Sequence, residues 1–162
     1  MSNSNKDLPH SLKLVTIWLL VMLAVFLGIK GLEHSRQQSS IELHQGRILL
    51  KRAPDGHFHW RGQVNGVTVD FLVDTGATST ALPQALAERA GLTAESQVRS
   101  HTAGGVVQGY RARADIALQG GVSAQRLPVT VLPDLGAPLL GMDLLSRLRF
   151  VQQDGVLSIE AP

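Results

Sequence analysis

The chain holds 162 residues, 17% of them charged, with 15 Lys and Arg against 13 Asp and Glu and no cysteine. Such a length accommodates one ordinary domain plus an appendage, and the lack of thiols excludes disulfides, cysteine nucleophiles and thiolate metal sites. From residue 40 onward eleven basic residues balance eleven acidic ones, so the net +2 comes from the four basic and two acidic residues before it. A neutral domain without a basic stripe speaks against nucleic-acid binding.

Residues 1–13 read as a polar tail. No charge interrupts Leu14 to Ile29, sixteen residues that include Trp18 and Phe26. As a helix they span about 24 Å, somewhat short of a ~30 Å hydrocarbon core. Leu12 and Leu32 lengthen the apolar face and Lys13 and Lys30 can snorkel, so the expectation is a single transmembrane helix over residues 14–32. No Ala-x-Ala-like site follows, which argues against a cleaved leader. Lys6 and Lys13 before the run and Lys30 and Arg36 after it leave the positive-inside rule tied. Residues 33–46 are polar and aperiodic and read as a linker, with one domain over 47–162.

Within that domain short strand-like runs alternate with turn signals, the rhythm of an all-β fold. Arg47 to Arg52 is a strand closed by Pro54-Asp55-Gly56. His57 to Val64 and Val67 to Val73 flank Asn65-Gly66, a strong hairpin signal. The second arm runs into Asp74-Thr75-Gly76, so a carboxylate stands where an apolar strand breaks into a turn, a costly place for a charge without a task. Pro83 to Ala90, with Gly91 beyond it, reads as a short helix. Gln97 to Thr102 and Val106 to Leu118 read as a long hairpin with Gly104-Gly105 at its tip. Val122 to Leu132 follows Gly120-Gly121, Leu144 to Arg147 is a helical turn, and Phe150 to Gln153 pairs with Val156 to Ile159 around Asp154-Gly155.

Two segments carry chemistry together: Phe71-Leu72-Val73-Asp74-Thr75-Gly76-Ala77-Thr78-Ser79, and later Leu139-Leu140-Gly141-Met142-Asp143-Leu144-Leu145. The pair resembles the retropepsin-like aspartic proteases over roughly Gly56 to Ile159, in the order and at the spacing of a single protomer. The resemblance implies a closed β-barrel protomer with one or two short helices. It also implies a homodimeric aspartic endopeptidase in which Asp74 from each copy shares one proton and one water, acting on protein or peptide without metal or organic cofactor. In such families the residue matched by Thr75 braces the loops across the dimer axis. Gly76 lets the backbone approach closely and adopt dihedrals denied to other residues, and Ala77 leaves room for substrate. Thr102, Ala103, Gly104 and Gly105 fall where the flap lies, and Leu139, Leu140 and Gly141 form the second loop motif.

One departure concerns Thr78 and Met142, which stand where retroviral members carry an Asp–Arg ion pair; both halves are missing together, so no charge is stranded. The pattern looks closer to bacterial membrane-anchored members, which implies an inner-membrane protein with a periplasmic catalytic domain. Asp143 is expected to accept helix-start N–H groups. The alternative is a non-catalytic peptide-binding module on the same fold, with one acid per site. Asp-Thr-Gly as a plain turn fits poorly with the second motif, and a sugar-kinase phosphate loop needs two large α/β domains that 162 residues do not supply. His57 and His59 share a strand face at a metal-ligand spacing, without a third ligand. No nucleophile-elbow sequence surrounds Ser79 or Ser100. Tyr110 and Trp60 read as packing residues.

Overall fold

The computed structural model describes residues 10–36, 41–44, 46–102 and 105–160. They belong to two compact units, residues 1–37 and 38–162.

The first unit contains α1 (His10–Arg36). Leu14, Ile17, Trp18, Met22, Val25 and Leu27 are all exposed, so α1 is apolar on every side rather than along one stripe. Side chains are described over residues 14–27 of this helix, and among the described residues no helix is long and apolar enough to cross a membrane.

The second unit is built from strands. In chain order they are β1 (Ile41–His44), β2 (Arg47–Lys51), β3 (His59–Val64), β4 (Val67–Val73) and β5 (Ala81–Pro83), followed by α2 (Gln84–Arg89). Then come β6 (Ser96–Thr102), β7 (Gly105–Leu118), β8 (Ser123–Leu132), β9 (Leu139–Leu140), α3 (Met142–Leu145), β10 (Phe150–Gln153) and β11 (Val156–Glu160). The linker expected over 33–46 therefore carries structure. Helix α1 runs on to Arg36, and β1 pairs antiparallel with β2, Leu43 opposite Ile48, which places the edge of the domain before residue 47. A four-residue strand at a sheet edge buries too little to show an apolar period, so composition alone hides it.

A four-stranded sheet has the order β1-β2-β11-β10, and a seven-stranded sheet the order β3-β4-β9-β5-β8-β7-β6. An additional pairing of β3 with β7, Val64 opposite Ile116, rolls the larger sheet closed. Alternation fixes which face is inside: in β7, Ala112, Ala114, Ile116 and Leu118 are buried while Arg111, Arg113, Asp115 and Ala117 are exposed. Trp60, Phe71, Leu82, Leu127, Leu140 and Leu144 fill the interior, and the Trp60 indole N–H is satisfied by the Gln119 carbonyl at 2.9 Å.

The turn before the site is held from two sides. Asn65 and Gly66 have φ of 47° and 83°, the left-handed pair of a tight hairpin turn. The Asn65 side chain accepts from Asp115 N (2.9 Å) and donates to the Ala90 carbonyl (3.1 Å), pinning the turn to β7 and to the end of α2. Strand β4 leaves this anchor and delivers Asp74 at its far end.

Candidate active site

Strand β9 lies between β4 and β5 in the sheet, although the chain reaches it last. It runs parallel to β4, with Leu72 opposite Leu139 and Val73 opposite Leu140. The loop from Asp74 to Thr80 thus leaves β4, passes over the end of β9 and re-enters as β5. Its chain crossing is clasped by backbone bonds to the late motif: Asp74 N–H to the Leu140 carbonyl (3.0 Å) and Met142 N–H to the Ala77 carbonyl (2.8 Å). Leu140 is fully buried and Gly141 buried, which makes this motif a floor under the loop.

Asp74 is half-buried, and its Oδ1 accepts the Gly76 N–H at 2.9 Å. Thr75 and Gly76 are exposed, and Ala77 is half-buried. The Asp74 loop thus sits at the surface of the chain. Gly76 differs from expectation in one respect. Its φ is not in the left-handed region, so no special dihedral requires glycine there. A Cβ at Gly76 would lie 3.2 Å from Asp74 Oδ1, so the carboxylate would have to shift by a few tenths of an ångström. At Gly141 the constraint is harsher, since a Cβ would meet the Ser79 carbonyl carbon at 2.5 Å and Thr80 N at 2.8 Å.

Thr80 is the residue that sequence reasoning missed. It is fully buried, and it donates to Asp143 twice, from its backbone N–H to Oδ2 (2.9 Å) and from its hydroxyl to Oδ1 (2.8 Å). The same hydroxyl accepts the Gly141 N–H at 3.2 Å. Asp143 also takes the Leu144 N–H at 2.9 Å, the helix-start role expected of it, but its main task is to bolt the end of the active-site loop to the late motif. With no Asp–Arg pair at Thr78 and Met142, this Thr80–Asp143 bridge and the Met142–Ala77 backbone bond hold the two motifs together. The available signal was an acid directly after Gly-Met, which needs donors when it forms no ion pair, as is so here among the described residues.

The hairpin of β6 and β7 is paired from Ser96–Arg111 to Thr102–Gly105. Beyond Tyr110, opposite Val131, β7 pairs among the described residues with β6 alone, so the ribbon projects from the body. Gly109 sits at the point of departure, where a Cβ would fall 2.1 Å from the Val131 carbonyl oxygen. Of the expected tip, Thr102 ends β6 and Gly105 opens β7 at a φ of 113°; Ala103 and Gly104 lie outside the described residues.

His57 precedes the strand that begins at His59, so the two do not share a strand face. His59 instead reaches two carboxylates, Asp55 Oδ2 at 2.7 Å and Asp70 Oδ2 at 3.9 Å. Burial pushes Asp55 up, yet the His57 N–H, the His59 hydrogen bond and the charge of both rings outweigh it, and Asp55 titrates below its ordinary value. Burial, with Glu88 nearby, pushes the Tyr110 phenol up. Ser79 Oγ lies 3.4 Å from Thr130 Oγ1, and among the described residues it has no histidine partner.

Residues 60–147 match the family described as "gag-polyprotein putative aspartyl protease". An uncharacterized protein of Rickettsia prowazekii is 33% identical over 120 residues, which take in 70% of this chain and 51% of that one; the chain spans about half the length of this relative. An uncharacterized protein from the cobV 5′ region of a Sinorhizobium is 29% identical, with 88% of this chain and 70% of the relative covered. The crystal structure of a retropepsin-like aspartic protease from Rickettsia conorii superposes with a TM-score of 0.56 at 28% identity, covering 75% of this chain and 94% of that one.

Proposed function

Because the chain belongs to the retropepsin-like aspartic protease family, we propose that it is an aspartic endopeptidase assembled as a homodimer, with Asp74 of each copy forming the catalytic dyad. The observation that carries this reading is the presentation of Asp74. One acid per chain is held on the surface by a loop clasped to a buried motif, with its Oδ1 fixed by the Gly76 N–H.

Two such carboxylates facing one water share a proton rather than both ionise. The ionised member takes a proton from the water as its oxygen attacks the scissile carbonyl carbon, and the protonated member gives its proton to the carbonyl oxygen. Collapse of the tetrahedral species breaks the C–N bond, with the nitrogen protonated by the dyad. Thr75, exposed beside the acid, braces the facing loop, and Gly76 and Ala77 keep the approach to the dyad narrow but open. The β6–β7 ribbon closes over bound peptide, excluding water. The chemistry calls on no cofactor.

The protein is anchored in the inner membrane by residues 14–32, with the catalytic domain in the periplasm. The run Leu14 to Ile29, which holds no charge and whose described residues 14–27 are exposed on every side, supports the reading. Anchoring would concentrate protomers in a plane and favour dimers. Extraction of the full-length protein by detergent but not by high salt or carbonate, and digestion of the domain by external protease in spheroplasts, are the expected results.

Proteolysis is tested with full-length protein in detergent or nanodiscs. Wild type cleaves an unfolded protein substrate, with activity rising at mildly acidic pH, and Asp74→Asn loses at least a thousandfold while still dimerising. Equal cleavage by both forms, or a wild type that stays monomeric at high concentration in a bilayer mimic, would refute the reading and leave a peptide-binding module.

A further inference from the structure

A cavity of about 240 Å³ opens beside the active-site loop, with Ser79, Arg111, Thr130, Asp143 and Arg147 in its wall. Arg111 projects from β7 and Arg147 follows α3, and among the described residues neither takes part in an ion pair. Two arginines in the wall of one small cavity give it a positive bias that an anion would offset. Asp143 is the one acid in the wall, and its oxygens are already engaged by Thr80 and Leu144. The formal balance is two positive charges against one negative. Ser79 and Thr130, their hydroxyls 3.4 Å apart, add donors on the same wall.

Position decides what such a cavity would bind. Ser79 stands five residues after Asp74, so it lies no more than about 18 Å from the acid. An extended peptide advances about 3.3 Å per residue, so the cavity is within reach of side chains up to about five residues from the scissile bond. Paired arginines suit a carboxylate, which each can grip with two parallel N–H groups.

We propose that this cavity is a substrate subsite for an acidic side chain, so that the enzyme prefers peptides carrying Glu or Asp within about five residues of the bond it cuts, held by Arg111 and Arg147. The proposal deepens the proteolytic reading and rests on it for the word substrate. The test uses full-length protein and matched peptides bearing Glu or Gln at each of the five positions on either side of a cleavage site. At one position the Glu peptide should be favoured roughly tenfold or more in kcat/KM. Arg111→Met and Arg147→Met should each bring that ratio toward one, and the double reversal R111E/R147E should favour Lys at the same position. Equal cleavage at every position, or a ratio that survives both Met variants, overturns the subsite while leaving proteolysis intact. Binding of the same peptides to Asp74→Asn by fluorescence anisotropy separates the two ideas. A roughly tenfold tighter Glu peptide, lost in the arginine variants, upholds the subsite even if nothing is cut. Arginine variants that turn monomeric in sedimentation yet keep the Glu-to-Gln ratio would assign the cavity to a second copy and end the proposal.

Discussion

Thr80 and Asp143 show how a loop at a protein surface can be made rigid from beneath. Removing the carboxylate in Asp143→Ala would leave the Thr80 N–H and hydroxyl without their acceptor in a buried place, at a cost of about 2–3 kcal/mol. Chemical denaturation should record that loss, and peptide cleavage should fall with it because the Asp74 loop loses its clasp. Gly141→Ala meets backbone atoms rather than yielding side chains, so overpacking of about 1–3 kcal/mol is expected, read as a lower melting temperature. Asp55 offers a pH test. Its folded value lies below the ordinary carboxylate value, so its contribution is full above about pH 4 and is lost as acid carries it through the lower folded value. Asp55→Asn should therefore melt below wild type at pH 6, with the gap closing below about pH 4.

At the scale of elements, most of this architecture was legible because its signals are local. Asn65-Gly66 set the hairpin and Asp154-Gly155 the last one, and the β10 range, Phe150–Gln153, is the one expected. Gly91, at a φ of 66°, ends α2 as its position suggested. What the sequence hid is short and non-local. Strands β5 and β9 have three and two residues, and they exist because the crossing of the Asp74 loop over β9 gives their backbone groups partners far along the chain. β1 was read as linker for the same reason. The two segments that the structure brings together, at Asp74 and at Leu139-Leu140-Gly141, were legible where an apolar run meets glycine. Thr80 was not, since a buried threonine is visible only through its partner. Gly109 carries the element-scale prediction: Gly109→Ala would push β7 away from the Val131 carbonyl, loosening the base of the ribbon. Faster hydrogen exchange in Ser96–Thr102 and a raised KM for peptide are the expected outcomes.

For the whole molecule, the proposed dyad, with one acid from each chain, would make activity a property of pairs. Wild type mixed with excess Asp74→Asn should lose activity faster than dilution alone, because mixed pairs hold a single carboxylate. A linear fall would mean that each copy works by itself. Residues 38–162 form a compact unit of their own, so a fragment lacking α1 should remain folded. If anchoring supplies the local concentration, that fragment will need more protein to reach half its maximal activity.

The turn before β4 also bears on how the molecule ages. An asparagine followed by glycine is the pair most given to losing ammonia through a succinimide, yet both ends of this amide are occupied, by Asp115 N and the Ala90 carbonyl. Native protein should be spared while unfolded chains are marked. Once converted, residue 65 would present an oxygen to the Ala90 carbonyl in place of a donor, and the arm that carries Asp74 would be the first to work loose.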